Sequence, residues 1–232
     1  MRKLIIIILL CIVGVSLFMC VKQIPFGEPG ERIGDHFIRQ GVEETGATNI
    51  VTAVVVSYRG FDTLGEVTVL FTAAIGLGAI IGLFRRKKPR ADIEPASLIV
   101  YTGCRFLFPV ILLVGIYIVI HGHLTPGGGF QGGAVVASAF LLMYLGCRGK
   151  RIRETLSRGL ESMGGVLFIL IGLAGLLTGG FFLFNFLPGG EPGTLLSAGI
   201  LPLVYAAIGV KVGSELAGII DHLIENTDEL SQ

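Results

Sequence analysis

Charge is what this chain has least of. Asp, Glu, Lys and Arg make up 15% of its 232 residues, where a soluble domain carries roughly 25%. The net charge of +1 marks out no class of charged partner, and nothing in the pattern points to nucleic acid. Cysteine is scarce too. Cys11, Cys20, Cys104 and Cys147 stand alone, with no CxxC pair or Cys/His cluster, which argues against an iron-sulfur, zinc or haem site carried by the chain. They read as small apolar fillers, and no cofactor is expected. What the chain does have is apolar surface and glycine: 52% hydrophobic residues and 35 glycines, with a mean hydropathy of +0.80. That composition belongs to an all-α integral membrane protein, whose backbone polar groups must be satisfied inside each helix.

Hydropathy predicts six spans, judged against the roughly 20 apolar residues that cross a bilayer core. They fall at Leu4 to Val21, Val67 to Phe84, Phe106 to Ile120, Phe130 to Cys147, Met163 to Phe184 and Leu195 to Ile219. The third is short unless residues 97–103 extend it, in which case Arg105 must snorkel or find a partner. The first has the charged start and apolar core of a signal peptide. Met19 before Cys20 is a poor cleavage residue, however, and no A-x-A follows, so the segment is read as a retained helix.

Basic residues then orient the bundle. With the N-terminus cytoplasmic, thirteen Lys and Arg fall on the inner side: Arg2, Lys3, five from Arg85 to Arg90, Arg105, and five from Arg148 to Arg158. The outer side keeps four, Lys22, Arg32, Arg39 and Arg59, and Lys211 lies inside a span. Both termini are therefore expected in the cytoplasm, in a multi-pass protein of the cell membrane in contact with lipid. The polar stretch RRKKPRADIEPAS, residues 85–97, divides the chain near residue 92 into a two-helix part, 1–92, and a four-helix part, 93–232. Residues 22–48 read as an exposed outer loop. The outer turns TPGGGF and LPGGEPG look alike, but Pro-Gly turns are too common to establish a repeat.

Three polar features break the apolar pattern. Residues 50–58 are apolar but too few to cross, which fits a short interfacial or re-entrant helix. RGFDTLGE follows, with Asp62 and Glu66 spaced i,i+4 and Arg59 placed to pair with one of them. Two readings stand open: a cation or proton relay, or an N-cap whose carboxylates complement the helix dipole. The second feature is Lys211 with Glu215, again i,i+4, in an apolar segment where an unpaired charge costs several kcal/mol. Counted from Leu195 at 1.5 Å per residue, Lys211 lies about 24 Å along the span. Such a pair belongs either to a hydrated ion path or to a helix end where Lys211 snorkels, with Gly209 and Gly213 permitting close helix contact.

The third feature is HGHLTPGGGFQGG, residues 121–133. Pro126 stops the third span; Gly127, Gly128 and Gly129 allow backbone angles closed to other residues; Phe130 and Gln131 open the fourth. Gly132 and Gly133 let another backbone approach, and the bared amides favour partly negative groups. His121 and His123 form an HxH that could carry protons near neutral pH. Without a third ligand a metal is not expected there.

Residues 100–220, carrying HGHLTPGGGFQGG and the later VYAAIGVKVGSELAG, strongly resemble the MnhB family, the B subunit of Mrp-type multisubunit cation/proton antiporters. Residues 49–84, with RGFDTLGE before an apolar span, resemble the membrane tail of the antiporter A subunit, which exists as a small separate subunit in Mrp-related respiratory complexes. The resemblance implies a fused accessory subunit of an Na+/H+ antiporter module, with other antiporter subunits as partners. The fusion tilts this toward an energy-converting complex with hydrogenase-like or sulfane reductase subunits. It also implies no catalytic role for this chain, and an ion route bordered by Asp62 and Glu66 at one station and Lys211 and Glu215 at another. The rival readings are a purely structural subunit and a redox subunit binding quinone or metal.

Overall fold

A computed structural model describes residues 2–22, 33–84, 96–147 and 151–230. Every regular element among them is helical: α1 (Arg2–Lys22), α2 (Ile33–Thr45), α3 (Ile50–Thr52) running into a π-helical turn (Ala53–Tyr58), α4 (Gly60–Phe84), α5 (Leu98–Ile120), α6 (Gly129–Gly146), α7 (Glu154–Gly179) and α8 (Leu201–Leu230). Six of these, α1 and α4 to α8, are long and apolar enough to cross a membrane. The protein is a multi-pass membrane protein of the expected all-α class. The linker residues 85–95, with the division near residue 92 and the basic run there, and Arg148 and Lys150 lie outside the described residues.

The first 36 residues form one compact unit and residues 37–232 the other. In the second unit α8 is the central element, packing against α4, α5, α6 and α7. Glycine makes this possible. On α6, a Cβ at Gly132 would stand 2.3 Å from Val119 Cγ2 and 2.8 Å from the Gly115 carbonyl of α5, and one at Gly133 would stand 2.9 Å from Val212 of α8. On α7, a Cβ at Gly164 would stand 2.7 Å from the Ala207 carbonyl and 2.9 Å from the Lys211 amide. Contact this close between helix backbones is what small residues provide in a bilayer, where lipid is as apolar as leucine and packing drives association.

Several boundaries differ from the sequence expectation, each for a local reason. The third span does include residues 98–103: Ser97 caps α5 by accepting from the Val100 amide at 3.4 Å. Arg105 has no acidic partner among the described residues, but it does not sit bare. Its guanidinium donates to the Tyr101 hydroxyl at 3.3 Å, with its carbon 5.6 Å from that ring's centre. The outer segment 22–48 is not loop throughout, because residues 33–45 form α2. Phe37, Gly41 and Thr45 recur every four residues and make one face. Phe37 stacks on Tyr58 at 4.5 Å, and Gly41 admits Ala53.

The fifth span stops at Gly179 rather than Phe184, and the sixth begins at Leu201 rather than Leu195. Gly180, in the left-handed region at φ 81°, ends α7 with its amide on the Leu176 carbonyl. Residues 181–200 then fold back as an irregular apolar loop. Asn185 secures it, donating to the Ala198 carbonyl at 3.3 Å and accepting from the Ile200 amide at 3.0 Å. Leu183 is buried against the core at a positive φ of 61°, a strain that its burial offsets. An apolar stretch that folds back as a loop looks, in hydropathy, the same as one that continues a span.

Candidate functional site

The Lys211 and Glu215 side chains form the most buried ion pair among the described residues. Nζ lies 2.8 Å from Oε2, and the two side chains are 7% and 1% exposed. Because α8 starts at Leu201, Lys211 is about 15 Å along its axis at roughly 1.5 Å per residue. That is close to the middle of the apolar stretch Leu201–Ile224, deeper than a count from Leu195 suggests. A lysine at that depth with its head group buried is not snorkelling. The i,i+4 spacing turns both side chains to one flank of α8, while Gly209 meets Val119 of α5 and Gly213 meets Val136 of α6.

Elements on either side shape the pair. From α7, Gly164 and Gly165 make room for the lysine stem, with Lys211 Cδ and Cε 3.7 and 3.6 Å from where a Gly165 Cβ would stand. From α4, the Phe71 ring lies 5.2 Å from Nζ, giving the ammonium a cation–π partner. One demand is unmet: Glu215 Oε1 is buried without a hydrogen-bond partner among the described residues. A buried carboxylate oxygen left open is costly, and it can accept a proton, a water or a cation. Glu161 of α7, half-buried, stands within electrostatic reach of both members of the pair. Sequence reasoning missed it, since the predicted span began at Met163. The signal was there: Glu154, Arg158 and Glu161 are spaced i,i+4,i+7 just ahead of two glycines.

The glycine-rich break is a turn clasped by the earlier part of the chain. Pro126 and the glycines turn α5 into α6, with Gly128 at φ 148° beginning α6. Four consecutive carbonyls freed at the end of α5 are taken up by residues 48–52. Asn49 Nδ2 donates to Gly122 and Thr125 at 2.8 and 2.9 Å, its amide to His123 at 3.1 Å, Thr48 Oγ1 to Leu124 at 3.0 Å, and Thr52 Oγ1 to Gly122 at 2.5 Å. Asn49 also caps α3, its Oδ1 accepting from Val51 at 3.1 Å. Phe130 packs half-buried against the core. The helix seated on this turn thus comes from the chain's own first half.

The two histidines part company. His121 stacks on Tyr117 at 4.0 Å, and its Nδ1 lies 3.2 Å from the Tyr117 carbonyl. His123 is fully buried, with neither ring nitrogen at a hydrogen-bond partner among the described residues. Burial holds its pKa below the ordinary imidazole value, although the nearby carbonyls of Thr194, Leu195 and Ile120 favour the charged form. Among the described residues no three His, Cys, Asp or Glu side chains gather in a metal-binding group.

The remaining predicted station stands apart. Residues 50–58 do form the short helical segment, buried through Thr52, Ala53 and Val56. The i to i+5 bond from the Arg59 amide to Val54 closes its π turn at 2.8 Å, and Thr63 Oγ1 takes the Val55 carbonyl at 2.7 Å. Arg59 pairs with Asp62, both exposed. Glu66 is exposed on α4. No ion pair among the described residues joins Asp62 or Glu66 to Lys211 or Glu215.

Comparison with known proteins adds the following. Residues 99–218 match the family described as a domain related to the MnhB subunit of Na+/H+ antiporter, and residues 1–97 match the family described as the E subunit of MBH. The Na+/H+ antiporter B subunit of Alkalihalophilus pseudofirmus is 34% identical over 98 residues, 41% of this chain and 68% of that protein. Among solved structures, a chain of the membrane-bound sulfane sulfur reductase, an archaeal respiratory membrane complex, is 43% identical with a TM-score of 0.76, covering 96% of this chain and 97% of that one. A chain of the Mrp complex from a Dietzia species is 26% identical with a TM-score of 0.71, covering 96% of this chain and 26% of that one.

Proposed function

Since the chain belongs, through residues 99–218, to the family of the MnhB subunit of Na+/H+ antiporters, we propose that it is an accessory subunit of an antiporter module within an energy-converting respiratory complex. Its partners in this reading are other Mrp-type antiporter subunits and the subunits of a sulfane reductase or hydrogenase. The chain performs no chemistry itself; it borders the path that Na+ and H+ take. The likeness over nearly the full length of a sulfane reductase chain supports the respiratory setting. The positive-inside count puts both termini in the cytoplasm, and the HGHLTPGGGFQGG turn outside.

One observation carries the ion-path reading: an ion pair buried near mid-membrane whose carboxylate still has an open oxygen. A pair kept only for packing would have every acceptor filled, because each unfilled one costs about 1–3 kcal/mol. In this reading Glu215 alternates between its bond to Lys211 and an incoming proton or cation, and Lys211 holds the site's charge in balance. Glu66 is the second station. An exposed carboxylate within an apolar span needs a polar or protein surround, and a neighbouring antiporter subunit supplies it. The division into a two-helix part, 1–92, and an MnhB-like part, 93–232, is proposed as the record of a fusion.

The test is Na+/H+ exchange by the purified complex in proteoliposomes carrying Glu215→Gln or Glu66→Gln. Assembly with loss of exchange is the expected result. An assembled complex that exchanges at the parent rate would make the chain a structural subunit whose charges only tie helices together.

A further inference from the structure

The buried pair needs a way in from water, and the seam between α7 and α8 has the form of one. On α7, Glu154, Arg158 and Glu161 are spaced i,i+4,i+7 and share a face that continues to Gly164 and Gly165, where Lys211 packs. On α8, Lys211, Glu215 and His222 are spaced i,i+4,i+11 and share the facing stripe. The helices are pinned along this line. Ser157 Oγ donates to the Ser214 carbonyl at 2.9 Å, and Arg151 pairs with Asp221 near the end.

Exposure falls in order along it. Glu154 is 61% exposed, His222 35%, Glu161 is half-buried and Glu215 is 1% exposed. At the mouth, His222 Nε2 lies 3.9 Å from Glu154 Oε1, and Arg158 holds the same carboxylate at 2.5 Å. Glu161 is the middle step. It lies within the fields of both Arg158 and the Lys211–Glu215 pair, its place on α7 falling between Arg158 and the glycines that pack on Lys211, and what α4 contributes at the pair is the uncharged Phe71 ring. At the inner end stands the open Glu215 Oε1.

We infer that this seam delivers protons to Glu215, from His222 and Glu154 through Glu161; the inference rests on the ion-path reading of the buried pair. The carrier is the proton rather than Na+, because Arg158 stays charged at any working pH and its field opposes a metal cation, while protons pass between carboxylates and imidazole through bridging water. A proton taken up at His222 or Glu154 protonates Glu161 and is passed on to Glu215 Oε1. Neutral Glu215 loosens its hold on Lys211, and the proton's later departure restores the pair. Only O–H and N–H bonds are made and broken. With the termini placed in the cytoplasm, the mouth opens on that side.

The complex in proteoliposomes, with Na+-driven proton uptake followed by a pH dye across a range of pH, tests it. Glu161→Gln is expected to slow uptake, most at alkaline pH where protons are scarce and their delivery limits the rate, and Glu161→Asp to recover most of the loss. A purely structural role for Glu161 gives no pH-dependent loss. Should Glu161→Gln fail to assemble, the exposed mouth double variant Glu154→Gln/His222→Ala reports the same route, with the same alkaline loss expected. Parent rates at all pH values in the mouth variant or in Glu161→Gln, with Glu215→Gln inactive, overturn the route and leave the buried pair standing. Glu215→Gln exchanging like the parent instead removes the ion-path reading itself.

Discussion

Replacing Lys211 by methionine strands a carboxylate in the middle of the bundle. The pair is 7% and 1% exposed, so solvent screens it little, and removing one partner of such a pair costs about 3–5 kcal/mol. Glu215→Leu alone strands the ammonium, with the Phe71 ring and the more distant field of Glu161 left to it. The double variant Lys211→Met/Glu215→Leu has no charge left to strand, and well-packed apolar replacements of a buried pair are close to neutral. The two effects therefore couple by roughly 3 kcal/mol or more. The assay is the detergent-solubilised complex heated in steps, with retention of this subunit followed on a sizing column, alongside exchange in proteoliposomes. Single variants should fall away early and the double variant hold like the parent, yet exchange nothing. Singles as stable as the parent would mean the pair is wet and exposed in the assembly. A double variant that is stable and still exchanges would show that the charges are dispensable, and the reasoning about the site would be wrong.

Other consequences follow from local geometry. Asn49→Ala removes two side-chain bonds to the turn carbonyls and the cap of α3; at about 1 kcal/mol per bond, amide exchange in residues 121–128 should quicken about 10- to 100-fold, and an unchanged rate would mean Asn49 does not clasp the turn. Gly132→Ala puts a methyl 2.3 Å from Val119 Cγ2 and 2.8 Å from a backbone carbonyl, so α5 and α6 must part; the expectation is loss of the subunit from the purified complex, and normal assembly would refute the close crossing. His123 is held neutral by burial, with a folded pKa below its unfolded value of about 6.5. Its contribution is then intact above the unfolded pKa and declines as pH falls below it; the turn's amide protection, taken relative to the intrinsic exchange rate at each pH, should fall on acidification, and His123→Gln should flatten that dependence.

Much of this protein could be read from its residues because the bilayer asks so little of them. An apolar run of sufficient length must be a helix, since no other open structure satisfies its backbone in lipid, and six such runs were expected and six are present among the described residues. The MnhB-like motifs were equally visible, because a turn such as PGGGF needs its particular residues at fixed places. The i,i+4 spacing of Lys211 and Glu215 required their proximity before any packing was known.

Packing decided the rest. Hydropathy could not separate an apolar span from an apolar loop, so FFLF, residues 181–184, was read as the end of the fifth span when it belongs to a loop held by Asn185. With α8 starting at Leu201, the buried pair moved to near the middle of its apolar stretch. That Asn49 and Thr52 hold a turn some 70 residues away depends on which segments meet, as does the placing of Glu161 within electrostatic reach of Lys211 and Glu215. Sequence periodicity assigns each residue to a face of its own helix; only the contact between two helices determines what that face looks upon, and so whether a charge there is idle, paired or placed to move an ion.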